Sequence, residues 1–239
     1  MIKPEVLHKM VMSNAVIPIR FNQHRMLIDG RGVLYWPRHD MLVFSDLHFE
    51  KGSFLTQFAH PLPRFDTTDT IKRMANIIEE YEPKQLICLG DSFHDMNAGK
   101  RMQADDIGAI NELVSGVDKW VWVLGNHDPE VPQALHGMRA PYFKLNNILF
   151  VHEPETLGVE KFTDCEAQVI GHFHPKITHK LKERKVTGKS FLLGNNLMIM
   201  PAFGKYTGGL DSEHEAIQSL FDEQHAQAFL CYHMKVYMV

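Results

Sequence analysis

Nothing in this 239-residue chain pairs its cysteines. There are three, Cys88, Cys165 and Cys231, far apart and without C-x-x-C spacing, which argues against a disulfide framework and a thiolate metal site. That usage fits a reducing cytoplasm. Cys88 lies within the apolar run LICLG, where a thiol serves as a small core hydrophobe. Long apolar runs are also missing: no window reaches the ~20 residues of a membrane-spanning helix. The N-terminal MIKPEVLHKMVMSNAVIPIR is interrupted by charge and proline where a signal peptide would be apolar. A soluble protein is expected. Basic charge is not in excess either. With a net charge of −4 the chain as a whole is no electrostatic magnet for nucleic acid or anionic membrane. Histidine is the reverse case: there are fifteen. Imidazole titrates near neutrality and is the commonest metal ligand, so the question is which of them cluster.

Low-complexity linkers, heptads and strong repeats are absent, and the length suffices for a substantial core. Strands are expected at RMLID (25–29), GVLYW (32–36) and MLVFS (41–45). A helix is predicted over 66–81, capped by Asp66, with Ile71, Met74, Ile78 and Tyr81 on one face and Pro83 just beyond. A strand at 85–90, a helix at 104–116 and a strand at 119–125 follow. That alternation is the mark of parallel pairing with helices on the sheet. Beyond about residue 140 the texture turns to β. YFKLNNILFVH and SFLLGNNLMIMP each join two apolar runs through Asn-Asn, a pair able to adopt the positive φ of a tight hairpin. The C-terminal AFLCYHMKVYMV reads as an edge strand. One α+β domain over 1–239, with two sheets, is the expected organisation.

Polar clusters interrupt this pattern at the ends of apolar runs. They are Asp46 and His48 in SDLH, Asp91 in GDSFHD, Asn126 and His127 in GNHD, His152 in FVHEP, and His172 and His174 in GHFH. In open α/β sheets, sites assemble where strands emerge at their carboxyl ends. Asp46 and His48, like His172 and His174, are two apart and would share a face of an extended segment. Imidazoles beside carboxylates, with no thiolate, suit Mn²⁺, Fe²⁺ or Zn²⁺. Seven donors exceed the needs of one ion, so two metals are implied, with Asp91 as the bridging carboxylate. Such a pair acidifies a water and clamps the oxygens of an in-line displacement. His60, His136, His179, His214, His225 and His233 fall in no cluster and are read as structural or surface residues.

D-x-H, G-D, G-N-H-D, a lone H and G-H-x-H, in that order, resemble the calcineurin-like metallophosphoesterase superfamily. The resemblance implies a four-layer αββα sandwich, two mixed sheets flanked by helices, with a dinuclear site at one edge. It implies that Asp46, His48, Asp91 and His174 hold one metal and that Asp91, Asn126, His152 and His172 hold the other. His127 would carry no metal; it would contact the phosphate and protonate the leaving oxygen after in-line attack by a metal-bound hydroxide. Two nearby dications disfavour an imidazolium, so His127 needs a carboxylate to remain an acid near neutrality. Many relatives supply one three residues after the bridging Asp, but here that position is His94. Asp95 is the expected partner, ahead of Asp128. GDSFH resembles the double-strand-break-repair nucleases of the superfamily and implies that His94 touches the phosphodiester.

SDLHFEKG, GHFHPKI and PAFGKYTGG narrow the resemblance to the bacterial DNA ligase-associated metallophosphoesterase (PdeM) group. That resemblance implies a Mn²⁺-dependent phosphodiesterase, an endonuclease, working in DNA repair beside a DNA ligase, a Lhr-like helicase and an exonuclease. Within the chain, Lys180, Lys182, Arg184, Lys185 and Lys189 stand against only Glu183 directly after the G-H-F-H motif and could track a phosphate backbone. Lys51 and Lys205 are further phosphate-contact candidates. No aromatic interleaving offers a base-stacking platform. The alternatives are a hydrolase of small phosphate esters (a cyclic nucleotide, a nucleotide diphosphate or a phosphomonoester) and a non-catalytic scaffold on the same fold. A scaffold would be expected to lose ligands, and this chain keeps them all.

Overall fold

The computed structural model describes residues 1–57, 65–181, 183–221 and 226–239. His60, Lys182 and His225 lie outside the described residues. Among the described residues the strands β1 (Val16–Phe21), β2 (His24–Asp29), β3 (Val33–Trp36), β4 (Met41–Ser45), β5 (Gln85–Leu89), β6 (Lys119–Val123) and β7 (Met138–Ala140) form one sheet in chain order. From β1 to β4 neighbours run antiparallel, and from β4 to β7 they are parallel. Parallel neighbours need a crossover, and helices supply it between β4 and β5 and between β5 and β6. The helices on this side are α1 (Pro4–Met12), α2 (Lys51–Thr56), α3 (Asp66–Tyr81), α4 (Ala98–Arg101) and α5 (Ala104–Ser115).

The second sheet comprises β8 (Phe143–Leu145), β9 (Ile148–Phe150), β10 (Ala167–Ile170), β11 (Lys176–Leu181), β12 (Arg184–Leu193), β13 (Leu197–Ile199), β14 (Gln227–Tyr232) and β15 (Lys235–Met238). Its order is β15-β14-β12-β13-β10-β9-β8, with β11 beside β12. The sheet is mixed: β10 runs parallel to β9 and β13, and the other pairs are antiparallel. Both Asn-Asn hairpins form, β8–β9 with Asn146 at φ 54° and β12–β13 closed by Gly194 N–H on the Leu197 carbonyl.

Side-chain alternation sorts the layers. Along β3, Val33 and Tyr35 face Met10, Ile71, Met74, Ile77, Tyr81, Ile110 and Val114, in a core shared with α1, α3 and α5. Leu34 and Trp36 point the other way and meet Phe150, Val169, Phe191 and Phe229 of the second sheet. The four-layer expectation holds, although the fourth layer is thin. Leu149, Ile170, Leu192 and Ile199 are covered by Phe162 and by Ile217 of α6 (Glu215–Gln218), a single turn.

Four local expectations need correction. Helix α1 and strand β1 were not anticipated: α1 is short, and Pro18 within β1 argues against a strand except at a sheet edge, which is where β1 lies. Asp66 does not cap α3. It is the first helical residue, and its carboxylate accepts the Gly52 N–H at 2.8 Å. On α3 it is Ile77 that is buried, with Ile78 only partly so. The C-terminal segment is a hairpin, because His233 (φ 50°) and Met234 (φ 57°) turn the chain between β14 and β15. No helix among the described residues is long and apolar enough to cross a membrane.

Candidate metal centre

All five clusters stand at carboxyl ends of strands. Asp46 and His48 follow β4, Asp91 follows β5, Asn126 and His127 follow β6, His152 follows β9, and His172 and His174 follow β10. The parallel portions of the two sheets therefore open onto one place. The chain does not continue extended through these motifs, as the spacing suggested. Asp46, His48, Asp91, His172 and His174 have φ of 53°, 47°, 44°, 66° and 48°, the left-handed region that non-glycine residues seldom occupy. Such positions cost free energy and persist where surrounding bonds over-determine them. Those bonds are present: Asp46 N–H reaches the Gly90 carbonyl at 3.3 Å, His48 N–H the Asp91 carbonyl at 2.9 Å, and Gly171 N–H the His152 carbonyl at 3.1 Å. Gly90 is required for the fit. Its φ is 72°, and a Cβ there would come within 2.2 Å of the His152 ring.

All seven residues predicted to bind metal converge. Nε2 of His174 lies 2.8 Å from Asp46 Oδ1 and 3.3 Å from His48 Nε2. On the other side, His152 Nε2 is 3.3 Å from Asp91 Oδ1 and 3.0 Å from Asn126 Oδ1, and His172 Nδ1 is 3.0 Å from the same amide oxygen. Asp91 spans the two groups. Its Oδ1 faces His152, and its Oδ2 is 3.9 Å from His48. Two sets of donors lie within 4.8 Å of one another: Asp46, His48 and His174, and Asp46, Asp91 and His152. Asp46 thus belongs to both sets, whereas the expected bridge Asp91 belongs to the second and approaches the first only through its Oδ2, 3.9 Å from His48.

The donor set fits divalent cations. Asp46 and Asp91 are buried, and among the described residues neither has a Lys or Arg ion pair; their partners are imidazoles, the Ser45 hydroxyl and main-chain N–H groups. Buried carboxylates without cationic partners are costly. The titration behaviour expresses this demand. Burial works to raise Asp46, yet His174, His152 and His48 hold it below the ordinary carboxylate value. Asp91 is likewise held down against burial, by the bond with His152 and the His127 N–H. Burial would lower His152, yet Asp91 and Asp46 push it up to about 9, so its proton stands where a metal's charge would. Its Nδ1 sits 3.2 Å from the Leu89 carbonyl, an arrangement that leaves Nε2 to a metal. Burial lowers His48 to about 3 and also lowers His172, leaving both as neutral donors.

A phosphoesterase needs such a centre, and 137 consecutive residues carry its pattern: the calcineurin-like phosphoesterase family model matches residues 40–176. The chain belongs to the calcineurin-like phosphoesterase family. It is accordingly a metal-dependent hydrolase of phosphate esters. Among solved structures it is similar to the crystal structure of Pseudomonas putida nuclease MPE, with TM-score 0.70 and 22% identity over 94% of this chain and 100% of that one. It also matches Yfce, a phosphoesterase from E. coli, with TM-score 0.40 and 19% identity over 71% of this chain and 83% of that one. No curated protein matches the chain.

Around the phosphoesterase centre the remaining candidates separate. His127 is exposed, its Nε2 4.0 Å from Asp91 Oδ2, and its Nδ1 lies 2.9 Å from the His94 carbonyl. The expectation that Asp95 orients His127 is not met, because Asp95 forms an ion pair with Arg101 and accepts the Asn97 N–H. Asp128 does not orient it either. Its carboxylate is buried beneath the loops, accepting N–H groups from Ser92, Phe93 and Gly125. A main-chain carbonyl does the orienting, and no side-chain pattern can reveal that. The ring of His94 stacks on that of His127, centroids 5.5 Å apart, and its Nδ1 is buried without a partner. Burial, then Lys51 and His127, lower His94 to about 4. Lys205 is engaged by Asp69 at 3.1 Å. The glycine loop after β13 buttresses the centre, with Phe203 N–H on the Ser45 carbonyl and Gly204 N–H on that of Asp46.

Proposed function

We propose that this phosphoesterase, a single domain over 1–239, is a dinuclear phosphodiesterase that cuts DNA. The observation carrying the proposal is the convergence of two buried carboxylates, four imidazoles and one amide beside an exposed His127. Asp46, His48, Asp91 and His174 would hold one divalent ion, and Asp91, Asn126, His152 and His172 the other. We assign the ions as Mn²⁺, in keeping with imidazole, carboxylate and amide donors. When bound, the pair supplies an acidified water and charge for the phosphate oxygens.

The chain's own groups then divide the work. Asp91 presents one oxygen to each donor set and so fixes their separation. His127, held at Nδ1 by the His94 carbonyl, offers Nε2 to the leaving oxygen as general acid. His94, stacked on it, is the proposed contact to the phosphodiester, with Lys51 at the rim. The second-sheet histidines and first-sheet carboxylates complete one another, which supports reading 1–239 as one unit.

The resemblance of SDLHFEKG and PAFGKYTGG to the DNA ligase-associated group supports a cytoplasmic repair role beside a ligase, a Lhr-like helicase and an exonuclease. The fold shared with a nuclease accords with a nucleic-acid substrate. The test is hydrolysis of bis-p-nitrophenyl phosphate against the monoester after Mn²⁺ reconstitution, followed by nicking of single-stranded and duplex DNA. Diester preference with DNA cleavage is expected. Monoester preference with intact DNA would replace this reading with that of a small-ester hydrolase.

A further inference from the structure

Strands β11 and β12 are registered so that Lys176 faces Lys189, Thr178 faces Thr187 and Lys180 faces Lys185. Alternate residues of a strand share a face, so these six side chains line one side of the ribbon. The two threonine hydroxyls bond at 2.7 Å between the lysine pairs. At the inner end, Lys189 Nζ donates to the Phe203 and Gly204 carbonyls and Lys176 Nζ to that of Thr207. This loop bonds to the Asp46 backbone, so the lysine face adjoins the metal centre. At the outer end Lys180 and Lys185 are exposed, and their ammonium groups have no hydrogen bond or ion pair among the described residues. β14 pairs with β12 only from Lys189 onward, so among the described residues β11 is the strand hydrogen-bonded to residues 184–188.

Two-stranded ribbons are marginal on their own, and like charges placed directly opposite weaken them further. A polyanion lying along the face would reverse that penalty. We infer that the lysine face of the β11–β12 ribbon is a docking track for the sugar-phosphate backbone of a single-stranded polynucleotide leading away from the metal centre. The inference rests on the phosphodiesterase reading above and adds to it where the substrate lies. From Lys176 to Lys180 the track runs four residues, about 13 Å at ~3.3 Å per residue. That covers about four nucleotides of a stacked strand at ~3.4 Å each. Lys51 is close enough to both Asp91 and Lys176 to feel their charge, while burial lowers its pKa. With lysine and threonine and no aromatic ring on the face, contact is with phosphates and carries no sequence preference.

The test compares the wild type with Lys180→Ala/Lys185→Ala and Lys180→Glu/Lys185→Glu, two exposed positions outside the metal centre. Bis-p-nitrophenyl phosphate hydrolysis should be unchanged in both. Single-strand binding, read by fluorescence anisotropy with metal withheld, should lose about 1.4 from its log–log salt slope in the Ala variant, ~0.7 per phosphate contact. For the Glu variant, KM for oligonucleotides of about 20 nucleotides should rise about tenfold with kcat kept, whereas substrates of about two nucleotides, too short for the track, should respond little. Unchanged affinity and salt slope, with DNA still cut, would overturn the track and leave the function standing. A wild type that hydrolyses small diesters yet neither binds nor cuts polynucleotides would overturn both.

Discussion

Asp128 allows a sharp test of how the centre is held, because its role is mechanical and its bonds can be counted. Its Oδ2 accepts the N–H groups of Ser92 at 2.7 Å and Phe93 at 3.1 Å, and its Oδ1 accepts that of Gly125 at 3.0 Å. These bonds tie the loop after Asp91 to the loop that presents Asn126 and His127. Burial, then Asp91, push the carboxyl up to about 7, so its charged form is disfavoured and the three N–H bonds are what hold the side chain in place. Asp128→Ala orphans three N–H groups. At about 1–3 kcal/mol for each, discounted for the shared relaxation of one loop, the loss should be about 3–5 kcal/mol. Asp128→Asn can turn its oxygen toward Ser92 and Phe93, sacrificing only the Gly125 bond while relieving repulsion from Asp91; its cost should be about 1–2 kcal/mol. Urea unfolding in EDTA, where metal binding adds nothing to stability, should rank wild type above Asn above Ala. Metal affinity should fall in the same order, as the two loops lose register. Asn as costly as Ala, or both variants within about 0.5 kcal/mol of wild type, would refute the role of those bonds.

Other outcomes follow from the assigned roles. His127→Ala should retain both metals, as read by elemental analysis, and lose about 10²–10⁴ in kcat; loss of metal would show the residue to be a ligand. Asp91→Ala should deplete both ions together, since its two oxygens face different donor sets, and retention of both would refute the bridge. Burial, then Arg73 and Lys176, lower Lys189 to about 8 from 10.5. Between pH 8 and 10.5 the unfolded chain would then hold more protons than the folded one. The destabilisation is therefore full below pH 8 and is relieved as pH rises to 10.5. Replacing Lys189 by Met should remove that rise in apo stability, and an unchanged profile would contradict it.

The metal centre was legible because it is built from side chains that have few other reasons to stand together at strand ends. Asp46, Asp91 and Asn126 follow strands whose apolar runs are themselves plain, and α3 and α5 show the periodicity that makes those strands parallel. What stayed hidden depends on the main chain. Any residue at position 94 would offer its carbonyl to His127, so the partner of the proposed acid left no mark, and the neighbouring carboxylates Asp95 and Asp128 drew attention away from it. The left-handed turns at Asp46, His48, His172 and His174 were equally silent, since spacing alone suggests an extended segment. The turn at His233 and Met234 lacks the Gly or Asn that would have announced it.

These hidden features share one cause. Five ligands, Asp46, His48, Asp91, His172 and His174, sit in the left-handed region, which the surrounding bonds must hold. Five such turns let donors from two sheets meet within hydrogen-bonding distance although their strands belong to opposite halves of the chain. The bonds that hold these conformations run from one motif to the next: Asp46 to Gly90, His48 to Asp91, His172 to Asp46. No motif is thus shaped alone, and the order of clusters along the chain reflects a centre in which each loop supports another.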